Sequence, residues 1–252
     1  MQQLWNKYLT YEFLNAFTMR VLRYMLVVLI GFTFLLCQPQ RTNHDLLIEI
    51  PDTTESELDI IPYLVKNKLV TQLNLNRLEN GVDSFELRFN TRISLIPYGQ
   101  LLIIKKIDNR WTCIEYNYVI KHPVMASGQK TLDYVQSFAI DTIQVVKKNP
   151  SSGWLKFLTS IDSRNIYDLP DQEDIRAWDS LHVAIADGTS YFVEFANDDR
   201  YKFYSYTDPQ FFAKYFNECR KMTEIIGIFD REFGLNDSIA DVLASRAFSA
   251  IQ

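Results

Sequence analysis

Hydrolysis by carboxylates requires two of them held about 5–10 Å apart across the bond to be cut. This chain offers acids from two places: the stretch Asp168-Leu-Pro-Asp171-Gln-Glu173-Asp174, and Glu194 in the run SYFVEFAN. The plainer assignments are a solvated loop for the first and a solvent-facing strand position, between Phe192 and Ala196, for the second. The acidic loop also lacks the glycine turn and ligand alternation of a calcium-binding EF-hand. Nucleophilic chemistry has less to build on, since no GxSxG is present. Cys113 shares a strand face with Trp111 and Cys219 falls in an apolar helical stripe; each is either a buried core thiol, half of a disulfide, or reactive. The three histidines, His44, His122 and His182, are too far apart for HExxH or a histidine-rich metal cluster. No two glycines lie closer than Gly227 and Gly234, which rules out GxGxxG and the P-loop. No catalytic residue, metal site or cofactor is therefore expected.

A binding surface has a better compositional basis. Between Tyr191 and Phe216, 11 of 26 residues are aromatic, and an aromatic sheet face can stack sugars or grip extended peptides. Most of these rings are needed to fill a core beneath a helix. Tyr204 and Tyr206, which share a strand face with Lys202, are the candidates for an exposed, ligand-binding remainder.

The elements that would position these residues follow from periodicity and turn chemistry. Leu46–Ile50 reads as a short strand closed by Pro51, and SELDIIPYLVKNKL as a helix interrupted at Pro62. Ser84–Ile96, Gln100–Ile107 and Arg110–Ile120 have strand composition, with Pro97-Tyr98-Gly99 and Asp108-Asn109 as the turns of an antiparallel meander. The middle run, QLLIIKKI, is apolar on both faces and belongs inside a sheet. A further strand is expected within Thr131–Val146, ended by Pro150, then a helix in which Trp154, Leu155, Leu158 and Ile161 recur at helical steps. A second meander comprises Leu181–Gly188, Ser190–Asn197 and Arg200–Thr207. One long helix follows, capped by Asp208 with Pro209 at its first position. Its stripe is Phe212, Phe216, Cys219, Met222, Ile226, Phe229 and Phe233, and Gly234 stops it. A weaker helix spans Ser238–Phe248. The fold class is α+β: two antiparallel β-meanders packed by helices, behind an N-terminal hydrophobic signal or anchor segment. Residues 46–150 form a mostly-β subdomain and 151–252 an α+β subdomain, abutting or continuous.

The amino terminus differs in kind from this body. The first 36 residues carry Lys7, Arg20 and Arg23 against Glu12, so the rest is more acidic than the chain's overall charge of −5. Without a basic cluster longer than Lys105-Lys106 or Lys147-Lys148, nucleic acid is not an expected partner. Met25–Leu36, MLVVLIGFTFLL, is uncharged, follows Arg20 and Arg23, and gives way to the polar QPQRTNHD after Cys37. That order is the n-region, h-region and exit of a signal peptide, and the run is short of the about 20 residues a spanning helix needs. Met19 makes the better initiator, because it opens on a short cationic n-region. Residues 1–37 are thus a signal or anchor segment and 38–45 a flexible tether.

From Met19 to Cys37 the chain resembles a bacterial lipoprotein, in which a lipobox precedes a cysteine that is diacylated and becomes the first mature residue. Phe34, Leu35 and Leu36 stand in the lipobox, and Leu36 departs from the usual Gly, Ala or Ser, so an uncleaved anchor stays open beside cleavage and lipidation of Cys37. The resemblance implies membrane attachment through an N-terminal lipid. With Gln38 rather than Asp after the cysteine, it implies an extracytoplasmic address at the outer membrane. WTCIEYNY, YDLPDQEDI and DGTSYFVEFANDDRYKFYSYTDP resemble secreted bacterial proteins without an assigned activity. The expected function is a cell-envelope-anchored binding or structural module whose partner is an envelope protein, a peptide or a glycan. A secreted carboxylate-based hydrolase is the rival.

Overall fold

The run Leu101–Ile104 is apolar on both faces, and the chain meets that demand with helices on each side of one sheet. The structure, a computed structural model, describes residues 46–51, 61–93, 97–121, 135, 137–176 and 188–235. The chain divides into a unit up to His44 and a second from Asp45 onward, and every described residue belongs to the second. The signal segment with Met19 and Cys37, the tether, Leu181–Asp187 of the expected Leu181–Gly188 strand and the Ser238–Phe248 helix lie outside the described residues.

Among the described residues there are seven strands: β1 (Leu47–Glu49), β2 (Phe85–Ile93), β3 (Tyr98–Ile107), β4 (Arg110–Lys121), β5 (Ala139–Lys148), β6 (Thr189–Asn197) and β7 (Arg200–Thr207). Four described α-helices accompany them: α1 (Ile61–Gln72), α2 (Trp154–Asp162), α3 (Pro209–Phe212) and α4 (Asn217–Phe233). The strands make one mixed sheet in the order β1-β7-β6-β2-β3-β4-β5, parallel only between β1 and β7. The fold class is therefore α+β. No helix among the described residues is long and apolar enough to cross a membrane.

The meander β2-β3-β4 is antiparallel and extends to β5. Asp108 and Asn109 both adopt positive φ, 48° and 60°, the left-handed pair that a two-residue hairpin turn requires and that Asp and Asn tolerate. Tyr98 and Gly99 fall inside β3 rather than in a turn. Gly99 is needed there because a Cβ would overlap the ring of Tyr118 on the neighbouring strand. The second meander narrows to the β6–β7 hairpin. β6 is flanked by β2 and β7, which leaves no side for a preceding strand to pair with it. Strands from before and after residue 150 thus share one sheet, joined along the whole of β2 and β6.

One face packs α2 and α4 over Leu87, Phe89, Leu102, Ile104, Val193 and Tyr204. The other receives Val65 and Leu69 of α1 against Phe192, Tyr201, Phe203, Leu101 and Ile103. Pro62 stands in the first described turn of α1, and Ser56–Ile60 of the expected helix lie outside the described residues. The expected long helix is two helices. Phe216 is extended, with φ −122° and ψ 133°, and caps α4, while α3 ends at Phe212. Asp208 does not cap α3 with its side chain; its Oδ1 accepts a hydrogen bond from Thr189 N at 2.8 Å and ties the start of β6 to the end of β7. The α4 stripe is Cys219, Met222, Ile225, Ile228, Phe229 and Phe233, with Phe216 and Ile226 only half-buried, and Gly234 ends it with φ 67°. In α2 the buried residues are Phe157 and Ile161, whereas Leu155 is 83% exposed and falls outside the stripe expected for it.

Candidate functional site

The densest group of polar side chains lies between α1 and the sheet. In β2 the pattern F-E-L-R-F-N places Leu87 and Phe89 on the α4 side, so Glu86, Arg88 and Asn90 turn to the other face, where α1 covers them. Glu194 on β6 stands directly opposite Arg88. From α1, Lys66 descends into this group, and the single-turn helix Leu78–Asn80 adds Glu79.

All three protons of the Lys66 ammonium are engaged. Nζ donates to Glu79 Oε1 at 2.6 Å, Glu194 Oε1 at 3.1 Å and Tyr201 Oη at 3.0 Å. The ammonium also sits 4.3 Å from the ring centre of Tyr63 and 5.5 Å from those of Tyr201 and Phe203, a cation–π cage. Arg88 donates from Nε to Glu86 Oε1 at 2.7 Å, from Nη1 to Glu194 Oε2 at 3.1 Å and from Nη2 to the Asn76 carbonyl at 2.6 Å. Tyr201 Oη donates to Glu194 Oε1 at 3.0 Å, and Lys105 Nζ pairs with Glu86 Oε2 at 2.8 Å. Lys66, Arg88 and Lys105 thus face Glu79, Glu86 and Glu194, so formal charge balances.

Titration follows from these contacts. Burial works to raise the Glu79 carboxyl, but the Lys66 hydrogen bond, a backbone hydrogen bond, the Lys66 charge and the Tyr63 hydroxyl together offset it and hold the group below the ordinary carboxylate value. Burial first, then Glu79, pushes the Tyr63 phenol up to about 12. Burial and the Glu194 charge push Tyr201 far above its ordinary value.

Lys66, Arg88, Asn90, Phe192 and Glu194 line a cavity whose empty space, counted out to its mouth, is about 240 Å³. Its enclosed part admits only about one water molecule, and small-molecule sites start at roughly 300 Å³. The arrangement orients α1 on the sheet through charge pairing; it offers no free nucleophile and no room for a sugar.

A second polar group lies on the opposite face. Gln100 Nε2 donates to Glu115 Oε1 and, at 3.1 Å, to Asn117 Oδ1, which also accepts from Tyr98 Oη at 2.6 Å. Lys148 pairs with Glu115 at 3.3 Å and donates to the Phe233 carbonyl at 3.1 Å. Glu115 is the one carboxylate here, so this group lacks a pair.

The expected site residues are placed differently from one another. Lys202, Tyr204 and Tyr206 do share a face, but it is the face under α4, so the exposed ligand surface expected of them is not formed. Tyr204 and Tyr206 are 0% and 1% exposed and pack edge-to-face at 5.9 Å. Tyr204 Oη donates to the Ile166 carbonyl at 2.6 Å. Lys202 is mostly covered and pairs with Glu49 at 3.3 Å. The physical reason is that β7 is flanked by apolar rings on both faces, and the sheet is covered on both. Replacing Tyr204 with Phe is expected to cost about 1–2 kcal/mol by leaving the Ile166 carbonyl without its donor. Chemical denaturation measures this, and a loss below about 0.5 kcal/mol, as for a surface change, would contradict the tyrosine's burial.

Glu194 is buried rather than solvent-facing, because α1 covers that side of β6. The acidic stretch is not uniformly solvated either. Asp171 is buried, its Oδ2 accepting from Ser205 N at 2.7 Å and Ser205 Oγ at 3.0 Å, and burial raises its carboxyl. Gln172 Oε1 accepts from Thr207 N at 2.6 Å. Together they occupy the β7 edge beyond β1. Asp168 instead accepts from Arg200 Nη1 at 2.7 Å, and Glu173 and Asp174 face solvent. These acids do not gather around one cleft, and no metal-holding group occurs among the described residues. Cys113 and Cys219 are buried free thiols of the same core, each pushed up to about 12, chiefly by burial. The residues that sequence reasoning missed are Lys66, Glu79, Glu86 and Arg88; the signal for Glu86 and Arg88 was the Glu-Arg-Asn alternation of β2, which reads equally as a solvent face, and Lys66 and Glu79 had none. Comparison with known families, curated proteins and solved structures finds no match to this chain.

Proposed function

We propose that this chain is a cell-envelope-anchored binding or structural module, attached to the membrane through its N-terminal segment with Cys37 as the lipidated residue and acting outside the cytoplasm, at the outer membrane. The observation that carries this reading is the uncharged run Met25–Leu36, which follows two arginines and closes on Cys37. The body supports binding over the rival hydrolysis. Its buried carboxylates Glu86 and Glu194 and the half-buried Glu79 are engaged by Lys66, Arg88 and Lys105, and the enclosed space beside them is water-sized. An envelope protein, a peptide or a glycan is the proposed class of partner.

Metabolic labelling with a palmitate analogue in a bacterial host tests the attachment. The wild-type chain should take up label and the Cys37→Ser variant should not; equal labelling of the two would remove the lipoprotein reading. Leu36, bulky at the bond to be cut, favours a second reading in which the segment is retained as an uncleaved anchor. In that case the chain stays unlabelled, fractionates with membranes, and keeps the segment that precedes Cys37.

A further inference from the structure

The two edges of the sheet are finished differently. At one end β1 covers the first part of β7, and the side chains of Asp171 and Gln172 bond the backbone of the rest. At the other end β5 pairs with β4, and no strand among the described residues lies beyond it. Gln72 of α1 fixes its entry, donating to the Phe138 carbonyl at 2.8 Å and accepting from Ile140 N at 2.6 Å. Past that point Asp141 to Val145 are exposed on both faces, with Ile143 at 43% and Val145 at 56%. Edge strands are ordinarily shortened, charged or covered, because an open edge recruits another strand. Here the middle of the strand, Thr142 to Val146, carries no charge at all.

We propose that β5 pairs with β5 of a second copy of this chain, antiparallel and centred on Gln144, joining two sheets about a twofold axis. The strand is complementary to itself in that register. Asp141 comes opposite Lys147 of the other copy, Ile143 opposite Val145, Thr142 opposite Val146, and Gln144 opposite itself. Ile143, Val145 and Lys147 stand opposite Tyr118, Tyr116 and Ile114 of β4, the α1 face, and Asp141 shares it by alternation with Ile143. The charged pairs and the exposed aliphatic pairs therefore fall side by side. Moving the centre to Ile143 sets Asp141 opposite Val145, and moving it to Val145 sets Lys147 opposite Ile143, so only the Gln144 register matches both charges. The irregularity opposite Val119 and Ile120 comes at Asp141 and ends the pairing there. This interface is isologous, as a closed dimer requires, and it stands independently of the membrane assignment.

Cysteine pairing in the full chain, held in a mild non-ionic detergent, tests the register. Opposed residues in an antiparallel pair have Cα atoms about 4.5–5.5 Å apart, within disulfide reach. Gln144→Cys should give a dimer band at twice the mass of the monomer under diamide, which accepts the two thiol hydrogens. Thr142→Cys carries the same native cysteines but lies four residues from its own copy, so it should stay monomeric alone and dimerise when mixed with Val146→Cys. In sedimentation equilibrium, Asp141→Lys should weaken association about tenfold by placing like charges opposite each other twice, and the double variant Asp141→Lys, Lys147→Asp should restore it. A Gln144→Cys chain that cross-links no better than Thr142→Cys would overturn the proposal, and so would a double variant that fails to recover.

Discussion

Replacing Phe229 with Ala should lower the unfolding free energy by about 3–5 kcal/mol, the cost of deleting a buried aromatic ring whose cavity cannot close. Phe229 is fully buried, and it links three elements. Its ring stacks on Phe89 of β2 with centres 4.1 Å apart, and meets Phe157 of α2 edge-on at 5.3 Å. Phe157 in turn packs edge-on against Phe233 at 5.0 Å. The truncation therefore loosens α2, α4 and β2 together, and no single neighbour can move in without leaving another. Urea denaturation of the purified protein measures the loss. A companion change at the half-buried Ile226 should cost distinctly less, and equal losses at the two positions would show that the α4 stripe is phased differently.

Lys66→Met should also cost about 3–5 kcal/mol at neutral pH, for a different reason. The methionine fills most of the volume, but Glu79 and Glu194 lose the ammonium that both accept from, and a buried carboxylate without its cation is expensive. Glu194 keeps Arg88 and Tyr201, and Glu79 keeps Tyr63. The sharper expectation concerns pH. Glu79 titrates below its ordinary value of 4.5 in the native protein, so its contribution is complete above that value and fades as pH falls through the native one. The wild type should lose this part of its stability on acidification below about pH 4.5, while Lys66→Met, already without the pairing, should lose little there. The gap between them should close toward acid. A gap that stays constant with pH would mean that lost packing, not lost charge pairing, accounts for the variant. Adding Glu79→Gln to Lys66→Met should recover part of the loss at pH 7, since the amide needs no cation.

Much of the architecture was legible in local patterns because local physics decided it. The apolar run Leu101–Ile104 had to be interior, Asp108-Asn109 had to turn, and Gly234 had to stop α4. The misreadings came where tertiary packing overruled periodicity. Phe212 and Phe216 continue the helical stripe, yet the backbone breaks between them. Leu155 fits the α2 pattern, yet it points to solvent while Phe157 goes in. The buried charge group was hidden for a related reason. An alternation such as Phe85 to Asn90 shows that one face of a strand is polar, but only the placement of α1 shows that this face is covered. Lys66 reads as an ordinary surface lysine until its helix is laid on the sheet. Tyr204 and Tyr206 failed in the opposite direction, since aromatic residues on both faces of β7 mean a strand enclosed on both.

The parallel pairing of β1 with β7 carries a kinetic consequence. Leu47 stands opposite Arg200, so this pair of strands closes a loop of about 150 residues, among the longest closures the chain makes. β2 and β6 close a loop of roughly 100, whereas β2-β3-β4 and β6-β7 are joined by short turns. During synthesis the N-terminal strand emerges first, yet it has no partner until β7 has followed it, and its three residues gain little until the β6–β7 hairpin has docked. Loop-closure entropy therefore predicts that the hairpins form first and that β1 is added last. It is held by three paired residues and by Glu49, which bridges to both Arg200 and Lys202.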